Sequence, residues 1–139
     1  ERPKNILNLV YNKTLSESTS LALDASAVSG KRGGNENYTA SGVTGYAFHT
    51  LGSGDKVALR AEYLSESTAG GLLLPAGTAG TKPNLSSVTA SYEFGKLAKP
   101  GARTFVEVRF DRSNGDVFNN ASGQQKTNST LSLVQIFSF

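Results

Sequence analysis

Of the 139 residues none is cysteine, methionine or tryptophan, and one, His49, is histidine. The missing cysteine excludes disulfides, Cys-ligated zinc, iron–sulfur clusters and a thiol nucleophile. No H-E-x-x-H, P-loop, dinucleotide fingerprint or G-x-S-x-G elbow occurs, so no catalytic motif, cofactor or metal is expected. Charge is sparse as well. Lys and Arg total 14 against 11 Asp and Glu, a formal +3 without a basic cluster, which is too mild for a nucleic-acid partner. No run of 18 apolar residues exists, so no helix is expected to cross a membrane. Hydrophobic residues make up 37%, thin for a packed soluble core in a single domain of residues 1–139. The first residues, Glu1-Arg2-Pro3-Lys4, do not form a signal peptide.

What is there is glycine, serine, threonine and asparagine set in a two-residue rhythm. The 15 glycines exceed the usual share of about 7%. Gly and β-branched residues interrupt every helical pattern, while apolar residues recur at alternate positions. Seven segments read as strands: 4–15, 18–30, 36–51, 55–67, 85–97, 102–114 and 127–139. A soluble strand is typically about 5–6 residues, whereas a tilted strand crossing a bilayer needs about 9–11. The length therefore points to an all-β, antiparallel transmembrane barrel.

The alternation divides each segment into two faces. Val106, Val108 and Phe110 oppose Glu107, Arg109 and Asp111. Val57, Leu59, Ala61 and Tyr63 oppose Arg60 and Glu62. Leu21 and Leu23 oppose Asp24, and Val88 and Tyr92 oppose Glu93. The third segment is the least clean, and its better apolar face is Tyr38, Ala40, Gly42, Tyr46 and Phe48. A soluble sandwich buries such apolar faces against each other, whereas a barrel turns them to lipid.

Connections favour the barrel. Those at 15–18, 52–55 and 98–101 are short; those at 30–35, 68–84 and 115–126 are long. Outer-membrane barrels carry short periplasmic turns and longer extracellular loops. Tyr11, Tyr46, Phe48, Tyr92, Phe94, Phe137 and Phe139 gather at the short-turn end, where aromatic rings suit a membrane interface. They are expected to form a girdle on the apolar faces. The last strand ends Phe137-Ser138-Phe139 and is similar to the terminal strand read by the bacterial barrel-assembly machinery. Seven strands break the even count of single-chain bacterial barrels. Further strands are therefore expected, either before Glu1 or on another chain, and an oligomer is one way to supply them.

A family resemblance follows. Gly42-Val43-Thr44-Gly45-Tyr46-Ala47-Phe48, a turn, and then Lys56-Val57-Ala58-Leu59-Arg60-Ala61-Glu62-Tyr63-Leu64 resemble the OmpL-like β-barrel porin family. Phe105-Val106-Glu107-Val108-Arg109-Phe110-Asp111-Arg112-Ser113-Asn114, the loop holding Val117-Phe118 and the terminal strand do so too. The resemblance covers roughly residues 40–139. It implies a bacterial outer-membrane pore larger than this chain.

The expected lining is Asp24, Arg60, Glu62, Glu93, Glu107, Arg109 and Asp111. The carboxylates Glu62, Glu107 and Asp111 could form an acid/base pair, but arginines at two-residue spacing make a charge-compensated wall the better reading. Acids outnumber bases there, so a weak cation preference is expected. His49 is expected as a lumen or turn residue. Leu72-Leu73-Leu74 is a candidate constriction or partner loop. Three functions compete: a passive channel for small hydrophilic solutes, a non-conducting barrel acting through its loops, and a soluble β-sandwich binding module.

Overall fold

The computed structural model describes residues 4–31, 37–67, 82–95, 102–120 and 123–137. Among these residues nine strands occur in chain order: β1 Lys4–Thr14, β2 Thr19–Lys31, β3 Asn37–Thr50, β4 Lys56–Glu66, β5 Asn84–Glu93, β6 Ala102–Ser113, β7 Phe118–Asn120, β8 Gly123–Gln125 and β9 Thr127–Phe137. Seven of them form one antiparallel sheet in the order β1-β2-β3-β4-β5-β6-β9. Each long strand pairs with its neighbour in the chain, so the sheet is a simple meander. The expected segments match these seven within a few residues. The β7–β8 hairpin was not foreseen, because three-residue strands carry no readable alternation.

Register decides which residues share a face, since directly opposed residues point the same way. One row runs Val10, Asp24, Thr44, Glu62, Ser87, Asp111, Asn128. The next row on that face runs Asn12, Ala22, Tyr46, Arg60, Thr89, Arg109, Thr130. The opposite face carries Leu9, Leu23, Val43, Ala61, Tyr63, Val88, Phe110, Leu131 and Leu133. Crowding differs sharply between the two. On β5 and β6, Ser87 and Asp111 are 3% and 7% exposed, whereas Val88 and Phe110 are 55% and 59% exposed. Side chains crowd where a sheet curls inward, so the polar face is the inner one and the apolar face is splayed outward.

Among the described residues, the other sheet is the short β7–β8 hairpin, which leaves most of that apolar face uncovered. A sandwich needs a covering sheet about 10 Å away. Outward-facing Leu9, Leu59, Val88, Phe110, Leu131 and Leu133 are all exposed, an apolar area that a monomer in water does not normally tolerate.

Turns at one end are tight. Leu15 N–H donates to the Thr19 carbonyl at 2.9 Å, and Leu51 N–H donates to the Asp55 carbonyl at 2.8 Å. Gly54 closes the second turn at φ +86°, a left-handed backbone that glycine adopts without a Cβ penalty. Asp55 then ties this turn to the end of β5. Its carboxylate accepts from the Tyr92 hydroxyl at 2.6 Å and from the Gly95 N–H at 2.8 Å. A Cβ at residue 95 would strike the Gly54 carbonyl, so this close approach requires glycine. The Leu72-Leu73-Leu74 stretch and Phe139 lie outside the described residues.

Candidate functional site

All seven charged residues expected to share a face do share the inner one: Asp24 on β2, Arg60 and Glu62 on β4, Glu93 on β5, and Glu107, Arg109 and Asp111 on β6. Four of them form a single network near mid-strand. Arg109 sits at its centre. Its Nε lies 2.8 Å from Asp111 Oδ1 and its Nη1 lies 3.3 Å from Glu62 Oε2. Arg60 Nε approaches the same Glu62 oxygen at 3.4 Å. Arg109 Nη2 donates to Ser87 Oγ at 3.0 Å, and Ser87 Oγ in turn donates to Asp111. Arg60 Nη2 donates to Thr89 Oγ1 at 3.2 Å.

The network depends on β5 being low. Glu62 and Arg109 lie on strands separated by β5, roughly two inter-strand spacings or ~9.5 Å apart. Ser87 and Thr89 stand between them and are short enough for the arginine to reach over. A Leu or Phe at either position would block the reach. Alternating single residues therefore set both the charge on β4 and β6 and the saddle on β5.

The other predicted residues are separate from this cluster. Asp24 accepts from Asn8 Nδ2 at 2.8 Å and from Ser26 Oγ at 3.2 Å, a small polar group on β1 and β2. Glu93 pairs with Arg103 across β5 and β6 through two contacts of 2.8 and 2.5 Å. Glu107 makes no hydrogen bond or ion pair among the described residues. Sequence reasoning missed Arg103, although the alternation through Phe105, Glu107, Arg109 and Asp111 places it on the same face. Its position beside a turn hid it. Lys56 and Glu66 are further inner-face charges among the described side chains, Glu66 with the Tyr38 hydroxyl donating to it at 3.4 Å.

Two expectations need correction. Tyr46 and Phe48 face inward with Arg60 and not outward with Leu59, because the β3–β4 ladder opposes Tyr46 to Arg60 and Phe48 to Ala58. Their rings lie nearly parallel, 5.9 Å apart. His49 is neither an inner nor a turn residue. It sits near the end of β3 on the outward face, within hydrogen-bond distance of Thr19 Oγ1 at 2.8 Å. Of the remaining aromatic set, Tyr11, Tyr92 and Phe137 are outward by register. Tyr92 meets Phe94 edge-on at 5.1 Å.

This arrangement offers charge and hydrogen bonds to water or a solute, but little reaction chemistry. Each network carboxylate already has an arginine or hydroxyl partner. Among the described residues, no group of three His, Asp or Glu side chains is placed to hold a metal ion. A long-stranded meander with a charged inner face and an uncovered apolar one is the wall of a β-barrel. The family model described as "Putative beta-barrel porin-2, OmpL-like" matches residues 1–139. The chain belongs to this OmpL-like porin family. No curated protein and no solved structure matches it. Membership extends the resemblance read from residues 40–139 over the whole chain.

Proposed function

We propose that this OmpL-like chain forms part of the wall of a bacterial outer-membrane channel through which small hydrophilic solutes diffuse passively. The observation that carries the reading is the pair of neighbouring inner rows. Asp24, Glu62 and Asp111 share one row, and Arg60 and Arg109 share the next. Outward-facing arginines at such mid-strand positions would cost about 2–4 kcal/mol each in a bilayer, and the acids somewhat less. Facing a water-filled lumen the two arginines, each 30% exposed, keep contact with water while pairing with the acids, and they offer contacts in exchange for a solute's hydration shell.

Acids on the inner face are Asp24, Glu62, Glu66, Glu93, Glu107 and Asp111. Bases with described side chains are Lys56, Arg60, Arg103 and Arg109. The excess of acid supports a weak cation preference despite the +3 of the whole chain.

Closing the wall takes more strands. β1 and β9 are the sheet's two edges and run in the same direction, six antiparallel steps apart. Joined directly they would pair in parallel. A fully antiparallel barrel needs an odd number of additional strands, from elsewhere in the protein or from a second chain. The Phe137-Ser138-Phe139 spacing that follows from β9 is the feature proposed for recognition by the barrel-assembly machinery.

Planar-bilayer recording of the assembled protein tests the function. The expected result is stepwise conductance with a small cation preference. Glu107→Lys should move the reversal potential toward anions, since Glu107 has no partner among the described residues to absorb the change. Absence of conductance from a correctly folded barrel would favour a structural or loop-mediated role instead.

A further inference from the structure

The outward face is not uniform. At the long-loop end Phe118 and Gln125 of the β7–β8 hairpin, with residues of β5, β6 and β9, line a half-open cavity of about 640 Å³. Its floor is three consecutive paired rows. Two of these rows send side chains outward: Val88, Phe110 and Ser129, then Ser86, Arg112 and Thr127. Phe118 and Gln125 of the hairpin form the side wall.

The cavity is graded along the strand direction. Val88 and Phe110, 55% and 59% exposed, lie toward mid-strand. Arg112 lies toward the loops, is exposed, and makes no ion pair among the described residues. The acid in the lining, Asp111, has its carboxylate engaged by Arg109 and Ser87 on the opposite face. An apolar floor leading outward to an unneutralised guanidinium, flanked by hydroxyls and an amide, has the polarity order of a single lipid. A guanidinium binds phosphate through two parallel hydrogen bonds, and a headgroup of net negative charge also neutralises it, which a zwitterionic headgroup does not.

We propose that this cavity is a binding site for one anionic, phosphate-bearing lipid. Its headgroup sits on Arg112, and its acyl chain lies over Val88 and Phe110, against Phe118. The inference rests on the reading that this face meets the bilayer, and it adds a fixed site to what would otherwise be a uniform annulus.

The chain's lack of tryptophan supplies the test. Phe118→Trp reports from the cavity, and Leu133→Trp reports from the open outward face of β9. The assembled protein is reconstituted with acyl-brominated phosphatidylglycerol or acyl-brominated phosphatidylcholine at equal mole fraction. Both lipids should quench the Leu133→Trp reporter equally. The Phe118→Trp reporter should show about fivefold enrichment of the anionic lipid, the factor one basic residue adds at an anionic membrane surface. Arg112→Gln should abolish that preference and Arg112→Lys should retain most of it. Equal quenching of both reporters by both lipids would overturn the lipid site and leave the membrane reading intact. No quenching of the Leu133→Trp reporter by either lipid would overturn the membrane reading, and the site with it.

Discussion

The inner face of β4, β5 and β6 and the inner face of β1, β2 and β3 are built on the same ladder but differ in content. In the first stretch, Arg60, Glu62, Arg109 and Asp111 interlock over Ser87 and Thr89. The second holds one acid near mid-strand, Asp24, served by Asn8 and Ser26, among Val10, Ala22, Val28, Tyr46 and Phe48. One side of the lining is densely charged and cross-linked; the other carries a single mid-strand acid and is partly aromatic. The contrast teaches that the electrostatic character of such a wall is concentrated where small residues on one strand let long residues on its neighbours meet.

Removing the centre of the charged stretch should have the largest effect. Arg109→Ala leaves Glu62 and Asp111 facing each other without their shared cation. Breaking a buried pair costs about 3–5 kcal/mol. The guanidinium is 30% exposed, so about 1–3 kcal/mol is expected, read by denaturant unfolding in micelles. Selectivity should shift toward cations in the same variant. Ser87→Ala comes next, at about 1–2 kcal/mol, because it removes a donor to nearly buried Asp111 and an acceptor for Arg109. The comparison predicts a smaller loss from Asn8→Ala on the sparsely charged side, about 0.5–1 kcal/mol, since both its partners are near water. Should Asn8→Ala cost as much as Arg109→Ala, the two stretches are not energetically distinct. Gly42→Ala is the mildest, below about 1 kcal/mol. The added Cβ meets the end of the Leu64 side chain, which can rotate away.

The seven long strands were legible because period-two alternation over ten or more residues has no competing explanation. The face of β3 was not. Tyr38, Ala40, Tyr46 and Phe48 looked like the apolar side, yet Val43, Gly45 and Ala47 make an equally plausible one. Only the hydrogen-bond register to Arg60 and Glu62 separates them. The charged residues were legible as sharing a face; the Glu62–Arg109 contact was not, because it joins strands that are not neighbours. Arg103 escaped notice beside its turn, and the β7–β8 hairpin lacked the length to register as pattern.

The central claim is that adjacent residues on one strand alternate between lipid and lumen water. The absence of cysteine permits a clean test on β9. Single cysteines at Thr130, Leu131, Ser132 and Leu133 are treated with a charged, membrane-impermeant thiol reagent in reconstituted vesicles. Reaction at 130 and 132, with protection at 131 and 133, is the predicted result. Equal reaction at all four, or reaction at 131 and 133 alone, would contradict the account.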